Sequence, residues 1–341
     1  MRRPAARLAA WLIAPLALAA TAAAQTSTLE TVRARKLLHC GVNTGLAGFS
    51  APDDKGQWTG LDVDFCRAVA AAVLKDGSKV KFVPLTAKER FTALQSGEID
   101  LLSRNTTWTM ARDTAQGLTF IGVNYYDGQG FMVKKASGVK AAKDLAGASI
   151  CVQTGTTTEL NLADFFRSNK LDYRPVVFEK NAEAVAAYNA DRCDAYTTDA
   201  SGLYAERLKL GNPEAHLVLP EVISKEPLGP VVRQGDPGWA NIVRWTHFAM
   251  LNAEELGVSQ SSLPEALKSP NPEMRRLLGL EGEFGKGIGL DNDWVVAIIQ
   301  AVGNYGESFE RNLGSGSRLG IVRGLNAQWK KGGLHYAPPV R

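Results

Sequence analysis

Three short segments, far apart in this chain, carry side chains whose types and spacing suit them to gripping charged groups. They are residues 104–112 (RNTTWTMAR), 153–159 (QTGTTTE) and 197–199 (TTD). The guanidinium of Arg112 is a planar fork that can hold a carboxylate through two parallel charge-assisted bonds. The hydroxyls of Thr107 and Thr157, with backbone N–H groups around Gly155, can complete that carboxylate's acceptor capacity. Asp199 can accept from an ammonium. Together these groups fit a zwitterion with both charges on one carbon, the form of a free α-amino acid, and no catalytic group is required. Plainer roles compete: Asp199 can cap the helix that Ala-Ser-Gly-Leu would start, and the threonines can satisfy turn backbone. Arg104 is expected to be structural and Trp108 a core aromatic.

The elements that must position these segments follow from hydrophobic spacing. Residues 28–35 read as a short helix and 37–42 as a strand, while 43–49 (NTGLAGF) is Gly-rich and irregular and 52–56 (PDDKG) is a hairpin turn. Leu61, Phe65, Val69 and Val73 recur at helical spacing, with Asp62 placed to cap. Residues 80–83 alternate as a strand, 90–96 form a helix that stops at Gly97, and 99–103 is a buried strand running straight into 104–112. A similar cycle then repeats: a strand at 130–133, a turn of helix at 142–145, and a strand at 149–153 that delivers the QTGTTTE loop. A helix at 159–168, a strand at 176–178, a helix at 182–189 and a strand from 193 ending at Asp199 complete it. This alternation predicts an α/β chain with parallel or mixed sheets and binding loops at the strand C-terminal ends. Two such cycles imply two lobes facing each other across a cleft. Residues 125–130 (YYDGQG) and a return near 227–230 lie between the cycles, where two crossover strands would make a hinge. Beyond Gly235 the pattern is helical at 239–255, 273–278 and 293–309, and the Gly- and Pro-rich end is expected to pack along the surface.

Composition narrows the setting. Arg2, Arg3 and Arg7 precede an apolar run at 8–20 and the small residues Ala22, Ala23 and Ala24, which reads as a secretory signal over 1–24 with Gln25 as the new N-terminus. The 39 basic and 35 acidic residues become 36 against 35 once those three arginines leave. No basic face for nucleic acid is implied, and no second apolar run is long enough to span a membrane. About 317 residues remain, enough for two domains. Cys40, Cys66, Cys151 and Cys193 would sit in an oxidising compartment, and four cysteines allow three connectivities. Metal binding is disfavoured, because no pair has CxxC spacing. No GxSxG, HExxH or Walker loop occurs, and none of the four histidines lies in the three segments. An enzyme on the same fold, or a sensory module acting through a partner, are the alternatives to a binding protein.

Longer blocks, in order, make the chain resemble a known family. They are CGVNTGLAGFSAPD, GLDVDFCRAVAAAV, ERFTALQSGEIDLLSRNTTWTMARD, YYDGQGFMV, CVQTGTTTELNLADFF, RCDAYTTDASGLYAER and RGLNAQW with GGLHYAPP. It resembles the substrate-binding proteins of polar amino acid ABC transporters, and most closely their general L-amino acid-binding subgroup. The resemblance implies a two-lobe, type II periplasmic binding protein with a two-strand hinge and a ligand cleft. It implies lobe 1 at 25–128, lobe 2 at 129–230, and a lobe 1 completion with helical extension at 231–341. By the same resemblance Arg112 grips the ligand carboxylate with Asn105 and Thr107, Thr157 joins from the second lobe, and Asp199 takes the ammonium. Asn43 and Asn181 stand where acidic amino acid-binding relatives carry an Arg and a His; Arg90 is kept from that set, although an ion pair with Glu89 or Glu98 is its plainer role. Leu46 stands where some relatives stack an aromatic. Broad specificity follows as an expectation, covering glutamate, glutamine, aspartate and asparagine. The expected partners are a small L-amino acid and inner-membrane permease subunits, for a periplasmic monomer with no cofactor and no nucleic acid. Pairing within lobes, Cys40 with Cys66 and Cys151 with Cys193, is expected because a bridge between lobes would lock the hinge.

Overall fold

The structure is a computed structural model, described over residues 27–341; the signal segment expected at 1–24 lies outside the described residues. Among the described residues, thirteen strands run in chain order as β1 Leu38–Val42, β2 Ala51–Pro52, β3 Trp58–Thr59, β4 Val80–Pro84, β5 Leu101–Leu102, β6 Leu118–Phe120 and β7 Tyr125–Lys134, followed by β8 Ser149–Gln153, β9 Arg174–Phe178, β10 Ala195–Asp199, β11 His216–Val218, β12 Ser224–Leu228 and β13 Val231–Arg233. They form two mixed sheets and a small β2–β3 hairpin. The first sheet has the order β4-β1-β5-β13-β6, and the second β11-β7-β10-β8-β9 with β12 added alongside β7. In each, a parallel core (β1 with β4 and β5; β8 with β9 and β10) points its C-terminal ends the same way. That is where the three site segments leave the sheets.

Two chain crossings join the sheets. Strand β7 leads into the second lobe and β12 leads out of it, paired antiparallel from Tyr125↔Leu228 to Gln129↔Ser224. At the crossing, Gly229 packs so closely on Gly122 that an added Cβ would lie 2.0 Å from the Gly122 carbonyl oxygen. No larger residue fits there without moving the hinge.

The two lobes bury their apolar surface differently. The first has a large core on one face of its sheet, built from β1 and the helices Leu61–Leu74, Pro237–Glu255 and Trp294–Val302, and a small cluster around Leu94, Ile99, Leu102 and Phe120 on the other. The second has a smaller cluster on each face of its sheet. Because side chains alternate along a strand, Phe131 and Val133 of β7 enter one cluster and Met132 the other. One disulfide sits in each lobe: Cys40–Cys66 ties β1 to the helix Leu61–Leu74, and Cys151–Cys193 ties β8 to the turn before β10.

Several local expectations are corrected. Asp62 does not cap its helix; Gly60 occupies the cap, and Asp62 is buried, accepting from Ser103, Asn124 and the Asn105 N–H. The segment 104–112 is not all loop, since the helix Met110–Ala115 begins within it, capped by the Thr109 side chain. The expected helix at 293–309 is two helices, Trp294–Val302 and Tyr305–Asn312. Gly303 at φ 79° breaks the run, and Asn304 starts a new capping box with Glu307. Trp108 is not in the core; it is 37 % exposed and stacks on Phe120. The C-terminal end does more than coat the surface: Asn326, Gln328 and His335 are buried, and the Asn326 amide both accepts from the Tyr126 N–H and donates to its carbonyl, clasping hinge strand β7.

Candidate functional site

The site is assembled where the strand ends of the two sheets meet. From the first lobe, β5 feeds Arg104, Asn105 and Thr107 into the seam. Asn105 holds a left-handed φ of 35°, fixed by its N–H donating to Asp62 at 2.7 Å. Arg112 lies on the short helix Met110–Ala115, buried, with its guanidinium donating to the Thr107 carbonyl at 2.8 Å and lying 5.3 Å from the Phe91 ring. Arg90 starts the helix Arg90–Ser96 and faces the same ring from 4.7 Å. It pairs with neither Glu89 nor Glu98, and its buried Nε has no partner. Arg104 donates to the Leu85 carbonyl, a structural role, yet also lines the cavity.

From the second lobe, β8 ends in a turn through Gly155 (φ 74°), and the helix Thr157–Asn169 begins. Its cap is Thr156, whose hydroxyl accepts from the Glu159 N–H. The opening N–H groups of the helix have no acceptor within it, which makes this end an anion-facing terminus. Strand β10 ends at Asp199, which stands at the start of the helix Ala200–Arg207 but makes no capping bond with its side chain. The capping role is therefore set aside, and the carboxylate is free for the seam.

Across that seam, Asn105 donates to Asp199 at 3.4 Å, the Thr107 and Thr157 hydroxyls approach to 3.1 Å, and Lys209 donates to the Gly45 carbonyl at 2.8 Å. The small cavity between them is lined by Arg90, Arg104, Asn105, Thr107, Thr157 and Asp199, with Gln153, Thr156, Thr158 and Thr198, and leaves about 30 Å³. That holds about two waters, so anything larger enters only when the lobes part. Asn43 reaches this cluster through its amide, which donates to Asn105 at 3.0 Å. Asn181 does not; it donates to Glu206 and accepts from Tyr196, and with Asn43 it lines a second space of about 290 Å³ at the lobe edge.

Burial dominates the electrostatics. It drives Arg90 well below the usual arginine range, aided by Arg104 and Arg112, and brings Arg104 down to about 10. Arg112 is lowered by burial too, opposed by Glu226 and Asp199. Asp199 is pushed well above the ordinary carboxylate range by burial, then by the charges of Asp127 and Glu226. Asp127, opposite Glu226 on the hinge strands, rises to about 6, chiefly through burial. Unpaired buried charge is costly; a ligand bearing both signs would relieve both sets.

Glu226 lies outside all three site segments of the sequence. It is wholly buried on β12 and accepts from Thr107 and Thr157, one from each lobe. Period-two alternation offered a signal: with Leu228 inward on a hinge strand, Glu226 must face inward as well.

A two-lobed mixed α/β body whose lobes meet over buried, complementary charge is a solute receptor of the type II binding-protein fold. Residues 38–260 match the bacterial extracellular solute-binding proteins, family 3, and the chain belongs to that family. It is 62 % identical over 330 residues to the general L-amino acid-binding periplasmic protein of Rhizobium johnstonii, covering 96 % of each chain. It is 58 % identical to the glutamate/glutamine/aspartate/asparagine-binding protein of Rhodobacter capsulatus, covering 96 % of this chain and 97 % of that one. A solved ABC transporter periplasmic binding protein from Brucella ovis, with glutathione bound, is 64 % identical, superposes with a TM-score of 0.91, and covers 93 % of this chain and 100 % of its own. The chain is a periplasmic binding protein and not an enzyme.

Proposed function

We propose that this receptor captures free L-amino acids broadly, including glutamate, glutamine, aspartate and asparagine, and delivers them to the permease of an inner-membrane ABC transporter as a monomer. The observation that carries this is the seam itself: Asn105 and Thr107 on one lobe meet Asp199 and Thr157 on the other at 3.4 and 3.1 Å, with Arg112 held beside Thr107 by a bond to its carbonyl. Ligand would dock on the arginine-bearing lobe, formed by residues 25–128 and 231–341, and lobe 2 at 129–230 would close over it. Closure is favoured because the ligand makes contacts in the closed form that the open form lacks. The two relatives named for general and for acidic and amide amino acids support a broad range. A separate space at the lobe edge is lined by Asn43 and Asn181, whose amides both donate and accept. Titration calorimetry of refolded mature protein against glutamate, aspartate, glutamine, leucine, histidine and arginine tests it. Tight binding of many members is expected; binding of none would overturn the proposal.

A further inference from the structure

Four neutral donors converge on the buried carboxylate of Glu226. The Thr107 and Thr157 hydroxyls meet Oε2 at 2.6 and 2.8 Å, and the Asn161 amide and Ser224 hydroxyl meet Oε1 at 2.6 and 2.9 Å. A carboxylate only accepts, at about four lone-pair sites, and here every site is taken. A threonine hydroxyl owns one proton and two lone pairs. Charge-assisted bonds are roughly twice as strong as neutral ones, so both protons go to Glu226 and not across the 3.1 Å contact between the two hydroxyls. The two threonines then have only lone pairs to offer the cleft.

We propose that Glu226 is a positioning residue: by taking the protons of Thr107 and Thr157 it turns both hydroxyls into acceptors for the α-ammonium of the ligand. The ligand carboxylate is left to Arg112 and to the N–H groups opening the helix Thr157–Asn169. This rests on the amino acid-receptor function and deepens it, and it reverses the expectation that the hydroxyls donate to the carboxylate. Thr107 comes from one lobe, Thr157 from the other and Glu226 from the hinge strand between them. The pair of acceptors is complete only when the lobes meet. With Asp199 they make three acceptors for the three protons of a primary ammonium. A 2-hydroxy acid has one proton in that place and leaves two acceptors unpaired, so the site selects α-amino acids against their hydroxy analogues.

The test titrates ligand-stripped protein with L-glutamate and with L-2-hydroxyglutarate, which differ only at that group. Thr107→Val removes an acceptor while keeping the charge of Glu226, and should lower the preference for glutamate over its hydroxy analogue roughly tenfold. Glu226→Gln should lower the same ratio by at least as much, and the double variant should lose less than the product of the two single losses. Thr157→Val gives the same readout should Glu226→Gln fail to fold. Equal weakening of both ligands by Thr107→Val would mean that the hydroxyls serve the carboxylate, overturning the proposal. Multiplying losses in the double variant would mean that Glu226 acts through charge alone, overturning it too. Failure of the wild-type protein to bind any L-amino acid would instead overturn the receptor function on which the proposal stands.

Discussion

The two lobes divide the chemistry unevenly. The first carries three buried arginines, Arg90, Arg104 and Arg112, in a lobe whose main core is far larger than either cluster of the second. The second carries Asp199 and the open helix end at Thr157, on a sheet with a thin cluster on each face. Each lobe alone would hold buried charge of one dominant sign without relief. What the contrast teaches is that binding and closure are one event: a zwitterion is the simplest solute that relieves both lobes at once, and a solute with a single charge relieves only one.

The comparison can be broken at several points. The thin second lobe should depend most on its staple: replacing Cys151 and Cys193 by alanine closes no loop over their separation of 42 residues and should cost about 4 kcal/mol in denaturant unfolding. A loss near zero would mean that the small clusters suffice. Next come the charges themselves. Arg112→Ala and Asp199→Ala should each weaken every L-amino acid by at least about 30-fold in calorimetry, since each leaves a buried partner charge unmet. An effect confined to some side chains would place these groups elsewhere on the ligand. Arg90→Ala should weaken glutamate and aspartate roughly tenfold and leave leucine nearly unchanged; equal loss across ligands would refute the side-chain role.

Proton linkage gives a smaller, signed effect. With the lobes together and no ligand between them, Asp199 sits above the usual carboxylate range because it is buried beside Asp127 and Glu226. An ammonium paired to it brings that value down, so binding releases protons and affinity weakens as pH falls from neutral. Calorimetry in buffers of differing ionisation enthalpy should show release; proton uptake would contradict the pairing. The smallest expected change is at the brace on β7: Asn326→Ala removes two bonds to Tyr126 and should cost about 1–2 kcal/mol of stability, with affinity altered only a few-fold.

Much of this was legible in the sequence because strand ends and site segments coincide. Period and punctuation place β1, β8, β10 and the helix stop at Gly97, and the hydroxyl- and charge-bearing segments follow those strands directly. Broad family blocks then gave the two-lobe fold. Three things were hidden for physical reasons. Asp62 matches a helix-start rule, but tertiary packing gives it better donors in Ser103, Asn124 and Asn105 than the helix end offers. At Gly303 apolar periodicity continues on both sides and masks the break. Glu226 sits between Lys225 and Pro227, a context that reads as a solvated turn; alternation from Leu228 turns it inward once the segment is a strand paired with β7.

The most direct test of the account is small-angle scattering of ligand-stripped protein with and without saturating L-glutamate, repeated for Asp199→Asn. The radius of gyration should fall on adding L-glutamate to the wild-type protein and stay unchanged in the variant at the same concentration. Binding without contraction, or contraction of the variant as well, would contradict the claim that pairing both charges of the ligand is what holds the lobes together.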